Sequence, residues 1–312
     1  MKSPVLFFCA ALATSCGMAF ELHAQSNTPQ DQPTSLTIPM PQGSVPEGIA
    51  IREGTAFVTS MSQGSVYKVD LGTGEVEVLK PGNGQSSVGI LLDDQGRLFV
   101  AGGRGGSIEV IDSESGEVLA TYKVADAGET FINDLDRLGN AVYATDSFQP
   151  VLYKLPLGEE GALPAQEDVE VLPLDGIAFV EGFNSNGITS TPDEEALLVV
   201  QMNAGALYRV DPADGKAEKV EVGDVDLTGG DGLLREGNIL YVVRNVPNRL
   251  VVLELDDSGR TAQLKDELSD PGFDIPTTVA RFEDRLYLPN ARFTVEDPKN
   301  EEFSIIGIPY TP

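Results

Sequence analysis

The chain has 312 residues, with 49 acidic and 21 basic side chains, which gives a formal net charge of −28 at neutral pH. This charge disfavours nucleic acid and anionic membranes as partners, because phosphate groups are bound by Lys and Arg. The one histidine, His23, and the two cysteines, Cys9 and Cys16, lie near the N-terminus, so the remaining sequence excludes zinc, copper and non-haem iron centres and nucleophiles that need a histidine base.

Residues 1–24 are predicted to be a signal peptide. The apolar run PVLFFCAALATSCGMAF follows a lysine and is too short and too early for a membrane span in the mature protein. We expect cleavage after Ala24; a site near Ala19 is the alternative, and a lipid anchor on Cys16 is a third reading. The mature protein is therefore expected to be secreted or periplasmic, with no membrane span and no disulfide.

Residues 25–34 (QSNTPQDQPT) are predicted to be a disordered linker, because they are polar and rich in Pro and Gln. Beyond them the chain repeats a unit of four short strands. The clearest copy runs from Asn186 to Val220, where apolar runs such as ALLVV and ALYRVD alternate with turns that contain Gly, Pro, Asp and Asn. This pattern is typical of antiparallel sheet.

Equivalent first strands recur at intervals of 41 to 53 residues. The six residues at which they begin are Glu47, Val88, Asn133, Asn186, Asp231 and Thr277. A repeat of this length is typical of propeller blades, and outside the N-terminus no window has the periodicity of a long amphipathic helix. We therefore predict an all-β, six-bladed β-propeller with four antiparallel strands per blade, as a single domain over residues 35–312.

The last repeat has strands near Val279, near Tyr287 and at Ser304–Ile308, and it lacks a fourth. The segment Ser35–Met40 (SLTIPM), which precedes the first blade, is predicted to supply that strand. Such pairing would close the ring and leave no unpaired sheet edge at the seam.

In a propeller the first strand of each blade lines the central channel, so the six positions above, here called the axial positions, are expected to converge on one rim. Four of them carry oxygen atoms that bind hard cations: Glu47, Asn133, Asn186 and Asp231. Glycine follows four of the six (Gly48, Gly89, Gly187 and Gly232), which suits a close approach of backbones. A single Asn-Gly or Asp-Gly pair is usually a turn, but recurrence at one blade position favours a shared site.

At these residues the chain resembles the gluconolactonase, or senescence-marker-protein (regucalcin-like), group of six-bladed propellers. The matching motifs are PEGIAI around Glu47, FIND at Asn133, NSNGI at Asn186 and GGDGL at Asp231. The resemblance implies one divalent cation, usually calcium, bound by Glu47, Asn186 and Asp231. It also implies that Asn133 contacts the substrate or completes the site, and that Asp231 is the catalytic base.

The chain departs from the sugar-lactone members of that group at Phe131, where those members carry a substrate-binding arginine. An apolar ring at this position indicates a more hydrophobic or larger ligand. The loops that join second to third strands should rise at the same rim, and they carry Arg104, Asp146, Asn203, Arg244, Asn245, Asn290 and Arg292. Arg244 or Arg292 is a candidate anchor for a substrate carboxylate; the alternative is that both are simply solvated.

Two functions from different classes fit these residues. The first is an exported, monomeric hydrolase of the lactonase or esterase type that uses a divalent cation, most often calcium, and acts on a small molecule. The second is a non-catalytic propeller in which the cation is structural and the rim binds a ligand or a protein, since a fold by itself does not specify a reaction.

Overall fold

The computed structural model describes residues 34–310 and shows a six-bladed β-propeller with four antiparallel strands in every blade. This confirms the fold predicted from the repeats. The expected signal peptide (residues 1–24) and residues 25–33 of the expected linker lie outside the described residues. No helix among residues 34–310 is long or apolar enough to cross a membrane.

The first three blades follow the chain without a crossover. Blade 1 contains β2 (Pro46–Arg52), β3 (Thr55–Ser60), β4 (Val66–Asp70) and β5 (Val76–Lys80). Blade 2 contains β6 (Ile90–Leu92), β7 (Arg97–Ala101), β8 (Ser107–Asp112) and β9 (Val118–Lys123). Blade 3 contains β10 (Ile132–Leu138), β11 (Ala141–Asp146), β12 (Val151–Pro156) and β13 (Glu170–Pro173).

The remaining blades repeat this order, except that the last is completed from the other end of the chain. Blade 4 contains β14 (Ser185–Ser190), β15 (Leu197–Gln201), β16 (Ala206–Val210) and β17 (Ala217–Lys219). Blade 5 contains β18 (Gly230–Glu236), β19 (Ile239–Arg244), β20 (Arg249–Leu255) and β21 (Ala262–Leu268). Blade 6 contains β22 (Ala280–Phe282), β23 (Arg285–Asn290), β24 (Phe303–Pro309) and β1 (Leu36–Met40). Three 3-10 turns, at Glu159–Gly161, Gln166–Asp168 and Pro298–Asn300, are the helical segments of the described chain.

Strand composition follows from position in the blade. The second strands are almost wholly buried, as in LLVVQ of β15, because neighbouring blades cover both of their faces. The outermost strands face solvent along most of their length, and β21 (AQLKDEL) is mainly polar and charged. Six buried apolar clusters hold the blades together, and each lies where two neighbouring blades pack.

Acidic turns between third and fourth strands have a structural role besides their charge. The Oδ1 atom of Asp70 accepts hydrogen bonds from the backbone N–H groups of Gly72 and Thr73, at 2.9 and 2.7 Å. The turn then closes through Gly74, whose φ of 77° is readily adopted only without a side chain. These backbone bonds, with a contribution from the Thr73 hydroxyl, lower the pKa of Asp70 below its usual value.

The ring closes as predicted, because β1 pairs antiparallel with β24 in blade 6. Ile38 lies opposite Ile305 and is 1% exposed, in an apolar cluster that also contains Met40 and Phe303. The N-terminal strand therefore supplies hydrogen bonds and core side chains to the blade formed by the C-terminal strands.

This closure predicts a position-specific loss of stability. Ile38→Ala should lower the free energy of unfolding by about 2–5 kcal/mol, because it removes buried apolar atoms at the seam and leaves a cavity. Leu36→Ala on the same strand is the control, since Leu36 is already 38% exposed. Urea denaturation of both variants measures the difference, and equal small effects would contradict a seam held by the N-terminal strand.

Candidate functional site

A β-bulge occurs at each of the four polar axial positions. In β2, for example, Pro46 pairs with Ser60 and Ile49 with Val58, so that Glu47 and Gly48 together face a single residue of β3. The register shifts in the same way in β10, β14 and β18. A bulge turns a side chain away from the regular alternation of a strand, which here directs the polar group to the channel.

Hydrogen bonds link the axial positions from blade to blade around the channel, and we call this ring of contacts the axial belt. It crosses five blade junctions. At three of them a threonine hydroxyl donates to a backbone carbonyl of the neighbouring blade: Thr59 to Val88, Thr145 to Asn186 and Thr277 to Glu47. At the other two a glycine N–H donates to such a carbonyl: Gly89 to Asn133 and Gly232 to Thr277. The axial belt fixes the backbone at each polar axial position relative to a neighbouring blade.

The glycines that follow the axial residues allow this close approach, as the sequence predicted. A Cβ atom on Gly48 would lie 2.5 Å from the Val88 carbonyl oxygen, and one on Gly187 would lie 2.3 Å from the Asp231 carbonyl oxygen. Both distances are shorter than van der Waals contact with backbone atoms that cannot move aside.

The four polar axial residues, Glu47, Asn133, Asn186 and Asp231, come together in the structure, and we call them the polar floor. All four line a small chamber of about 20 Å³, and all four also line a larger cavity of about 320 Å³ above it, the mouth cavity. Their exposed fractions lie between 3% and 6%. The convergence expected from the sequence therefore occurs.

Hydrogen bonds from residues behind the polar floor orient the side chains of Asn133 and Asp231. Asn133 donates from Nδ2 to Ser147 Oγ at 2.9 Å, and Ser147 in turn donates to the Ser185 carbonyl at 2.8 Å. This contact leaves the Asn133 amide oxygen as the atom that can serve a cation or a substrate. Asn245 donates from Nδ2 to Asp231 Oδ2 at 3.0 Å, which holds the Asp231 carboxylate from the side of blade 5.

The two floor carboxyl groups have strongly perturbed acidity. Burial raises the pKa of Glu47 well above its ordinary value, and the negative charges of Asp231 and Asp134 raise it further. Burial also raises the pKa of Asp231 to about 7, although hydrogen bonds from Asn245 and Asn186 stabilise the ionised form. Asp134, below the floor, keeps partial access to the channel, yet desolvation raises its pKa to about 7 as well. Without a cation, burial therefore disfavours the ionised form of both floor carboxyl groups.

The floor fits a hard divalent cation. Glu47 Oε2 is buried and has no hydrogen-bond partner among residues 34–310, so the charge of the ionised carboxyl group would have no partner there unless a cation supplied one. The chamber beside it is large enough for about one water-sized particle. Two carboxylates, two amide oxygens and waters match the oxygen shell of calcium. No group of three or more His, Cys, Asp or Glu side chains suited to a metal occurs in the described chain, so the amide oxygens are essential to such a site.

The walls of the mouth cavity are apolar, a feature that the sequence indicated only at Phe131. Phe131, Phe148 and Phe183 form an aromatic cluster with ring centroids 5.2 to 5.7 Å apart. Phe131 and Phe183 line the cavity, as do residues on loops after second strands: Met61, Met202, Val246 and Phe293. The signal in these loops is not their polar residues but apolar residues that are exposed in turns, such as Val246 and Phe293.

Asp146 supports the aromatic wall. This wholly buried carboxylate accepts hydrogen bonds from the backbone N–H groups of Phe131 at 3.0 Å and Phe148 at 2.9 Å. It also accepts from the hydroxyl groups of Thr130 and Tyr153. The sequence placed Asp146 on a rim loop without giving it a role; the structure shows that it ties together two segments that each carry one of the three rings, Phe131 before β10 and Phe148 after β11.

The two arginines predicted to anchor a carboxylate lie outside the mouth cavity. Arg244 donates to Asp226 and to the Thr228 carbonyl. Arg292 forms ion pairs with Asp274, at 2.9 Å, and Glu301, at 3.3 Å. Neither guanidinium contributes to the lining of the mouth cavity. A role in substrate binding stays a prediction that requires these ion pairs to open.

Comparisons with known proteins agree with this architecture. No protein-family model matches the chain, and no curated protein matches it. Among solved structures, the major allergen Mala s 1 of Malassezia sympodialis has a TM-score of 0.68 at 15% identity, covering 87% of this chain and 95% of its own. A luciferin-regenerating enzyme gives 0.61 at 14% identity, covering 88% and 95%.

Regucalcin from Agrobacterium tumefaciens, described as a calcium-binding protein, is also similar, with a TM-score of 0.59 at 16% identity over 87% of this chain and 93% of its own. The likeness to regucalcin-like propellers that the sequence motifs indicated is thus confirmed at the level of the fold.

The unpaired oxygen of Glu47 predicts a calcium effect on stability. Calcium at a hundredfold excess over its dissociation constant should stabilise the full chain by about 2.7 kcal/mol. Glu47→Gln should lose most of that gain, because it removes one of the two floor charges. Glu114→Gln, in an exposed turn, is the control and should respond as the parent protein does. Thermal melting with calcium or chelator measures the shift, and an equal shift in Glu47→Gln would contradict the site.

The raised pKa of Asp231 predicts that the stability of the metal-free protein falls as the pH rises, whereas the apparent affinity for calcium rises. In the metal-free protein its contribution to folding is fully present below the unfolded pKa of about 4 and is lost as the pH rises through about 7. Calcium must displace that proton, so its apparent affinity should fall below pH 7 by up to about tenfold per pH unit for each proton displaced, from Asp231 and, where it is protonated, from Glu47. Calorimetric titrations from pH 5.5 to 8 check this, and a flat affinity would contradict it.

Proposed function

We propose that the protein is an exported, divalent-metal-dependent hydrolase of the lactonase or esterase type that acts on a small molecule in the mouth cavity. The observation that carries the proposal is the polar floor, with its unpaired Glu47 Oε2, directly beneath a cavity of ligand size. Two structural relatives support it by their descriptions, one as a luciferin-regenerating enzyme and one as a calcium-binding protein.

Glu47, Asn186 and Asp231 would hold the cation, with Asn133 beside them. Calcium bound there supplies Lewis acidity, which polarises an ester carbonyl and makes a bound water more acidic. The protein itself supplies fixed orientation, because the axial belt holds the backbone of the floor and Asn245 holds Asp231. The buried floor also keeps bulk water from competing for the carbonyl.

Asp231 is the residue suited to take the proton. As water adds to the carbonyl carbon, its proton passes to the Asp231 carboxylate, and the bond between that carbon and the ring oxygen then breaks. The same proton is delivered to the departing oxygen, so that water is consumed and a hydroxy acid is formed. Burial raises the pKa of Asp231 to about 7 in the metal-free protein, and a cation on the floor would lower it, so that the carboxylate would be ionised and able to accept the proton at neutral pH.

The proposed export rests on the sequence, where an apolar segment follows Lys2 and ends near Ala24. A fractionation experiment with an epitope at the C-terminus would locate the protein, and N-terminal sequencing would locate the cleavage site. We propose secretion or a periplasmic location for the mature chain.

One observation favours a non-catalytic alternative. The described lining of the mouth cavity includes Glu47 and Asp231 but no His, Lys, Arg or Tyr, so no separate acid is present for the leaving group. A propeller stabilised by its cation, with a mouth that only binds a ligand, needs no such group. The alternative predicts stabilisation by calcium without turnover of any lactone or ester.

The hydrolase proposal is tested at Asp231. A panel of lactones and aryl esters is assayed with calcium, manganese or zinc, using the parent protein, Asp231→Ala and Asp231→Asn. Both variants should lose about 10²- to 10⁴-fold in kcat/KM, because the base is removed. Asp224→Asn, an exposed carboxylate on the loop before β18, is the matched control and should keep full activity. Equal activity in the Asp231 variants would reject the proposal.

A further inference from the structure

The chemistry of the mouth cavity restricts the class of its ligand. Three aromatic side chains, Phe131, Phe183 and Phe293, and the aliphatic side chains Met61, Met202 and Val246 contribute to its wall. The polar groups lie at the floor, with Asn245 beside Asp231. A ligand that enters therefore meets apolar surface along its sides and oxygen ligands at one end.

A polyhydroxylated ligand does not suit these walls. Each hydroxyl group that leaves water must regain a hydrogen bond inside the cavity, and an unpaired buried hydroxyl costs about 1–3 kcal/mol. Phenylalanine, methionine and valine side chains offer no strong hydrogen bonds. A sugar lactone would therefore lose free energy in proportion to the hydroxyl groups placed against the wall.

An anionic ligand does not suit the charge of the cavity. No Lys or Arg is part of its described lining. Arg104 lies nearby but stacks on Phe148, with Cζ 4.8 Å from the ring centroid, and Arg244 is paired with Asp226. A divalent cation would neutralise the two floor carboxylates, which leaves no positive charge for a carboxylate or sulfonate on the ligand.

The size of the cavity sets a scale for the ligand. Its volume of about 320 Å³ is roughly twice that of a 150 Å³ apolar cavity that binds benzene. A ligand with one or two rings, or with one ring and a short chain, matches this space. The cavity opens to solvent beside Val246, which is 68% exposed, and Phe293, which is 42% exposed. A longer apolar group on the ligand could therefore extend out of the cavity along these two side chains.

We propose that the mouth cavity takes a neutral, largely apolar lactone or ester, with its carbonyl at the polar floor and its ring or chain packed among Phe131, Phe183 and Phe293. The substrate class rests on the proposed hydrolase function, whereas the preference for a neutral apolar ligand rests on the walls alone. Binding can therefore be measured separately from turnover.

Two fluorescent probes that share one aromatic skeleton test the preference for neutral ligands. N-phenyl-1-naphthylamine is uncharged, and 8-anilino-1-naphthalenesulfonate carries one added sulfonate. With calcium present, the full chain should bind the neutral probe at least about tenfold more tightly, because the sulfonate finds no counter-charge. Equal or tighter binding of the sulfonate would overturn the proposal.

A matched pair of variants locates the binding. Val246→Asp places a carboxylate at the mouth, whereas Val171→Asp places the same charge on the outer strand of blade 3; both valines are exposed, at 68% and 55%, so both variants should fold. Val246→Asp should weaken binding of the neutral probe by about tenfold, and Val171→Asp should leave it unchanged. Equal effects in the two variants would show that the probe binds elsewhere and would overturn the proposal.

Competition and turnover separate this proposal from the hydrolase function. Dihydrocoumarin, a neutral aromatic lactone, should displace the neutral probe from the parent protein and be hydrolysed in preference to glucono-δ-lactone. Displacement without hydrolysis would reject the hydrolase and leave the apolar site supported. Hydrolysis of glucono-δ-lactone in preference to dihydrocoumarin, with no displacement of the probe, would support a hydrolase and overturn the apolar site.

Discussion

The axial belt is the constraint on which the site depends. Each blade contributes one axial position at the narrow centre of the ring, and hydrogen bonds such as Thr277 Oγ1 to the Glu47 carbonyl tie that position to its neighbour. Glycines such as Gly187 remove the Cβ atoms that would keep the blades apart. The contacts that hold neighbouring blades together therefore also bring residues of four blades together. The geometry of the polar floor depends directly on the packing of the propeller.

Such an arrangement carries a cost, because carboxyl groups are held away from water. Glu47 Oε2 has no hydrogen bond within the described chain, and the raised pKa values of Glu47, Asp231 and Asp134 reflect the same desolvation. The apolar clusters between blades supply the stability that tolerates this local cost. Residues that are unfavourable for folding and yet converge on one point are typical of functional sites, since a cation or a substrate can provide the missing interaction.

The mouth and the floor differ in chemistry. The floor offers oxygen atoms and strong local charge, which suit a cation and a reacting carbonyl. The mouth offers the aromatic cluster held by Asp146, whose carboxylate accepts hydrogen bonds from the separate segments that carry Phe131 and Phe148. In the proposed function, chemistry would be carried by the floor and recognition by the mouth, whose wall is built mainly from loops outside the axial belt.

The sequence by itself determined the repeat, the number of blades and the closing strand, because strand length, turn residues and the spacing of repeats are local properties of the chain. It also placed Glu47, Asn133, Asn186 and Asp231 on one ring, since equivalent positions of equivalent blades must meet at the axis. Only the tertiary structure decided what surrounds that ring. The apolar wall of Phe183, Met202, Val246 and Phe293 arises from loops of three different blades. The pairing of Arg244 with Asp226 and of Arg292 with Asp274 arises where the loop that enters a blade packs on the end of that blade's second strand. Contacts between loops depend on the path that each loop takes in three dimensions, and no periodic pattern in the sequence encodes them.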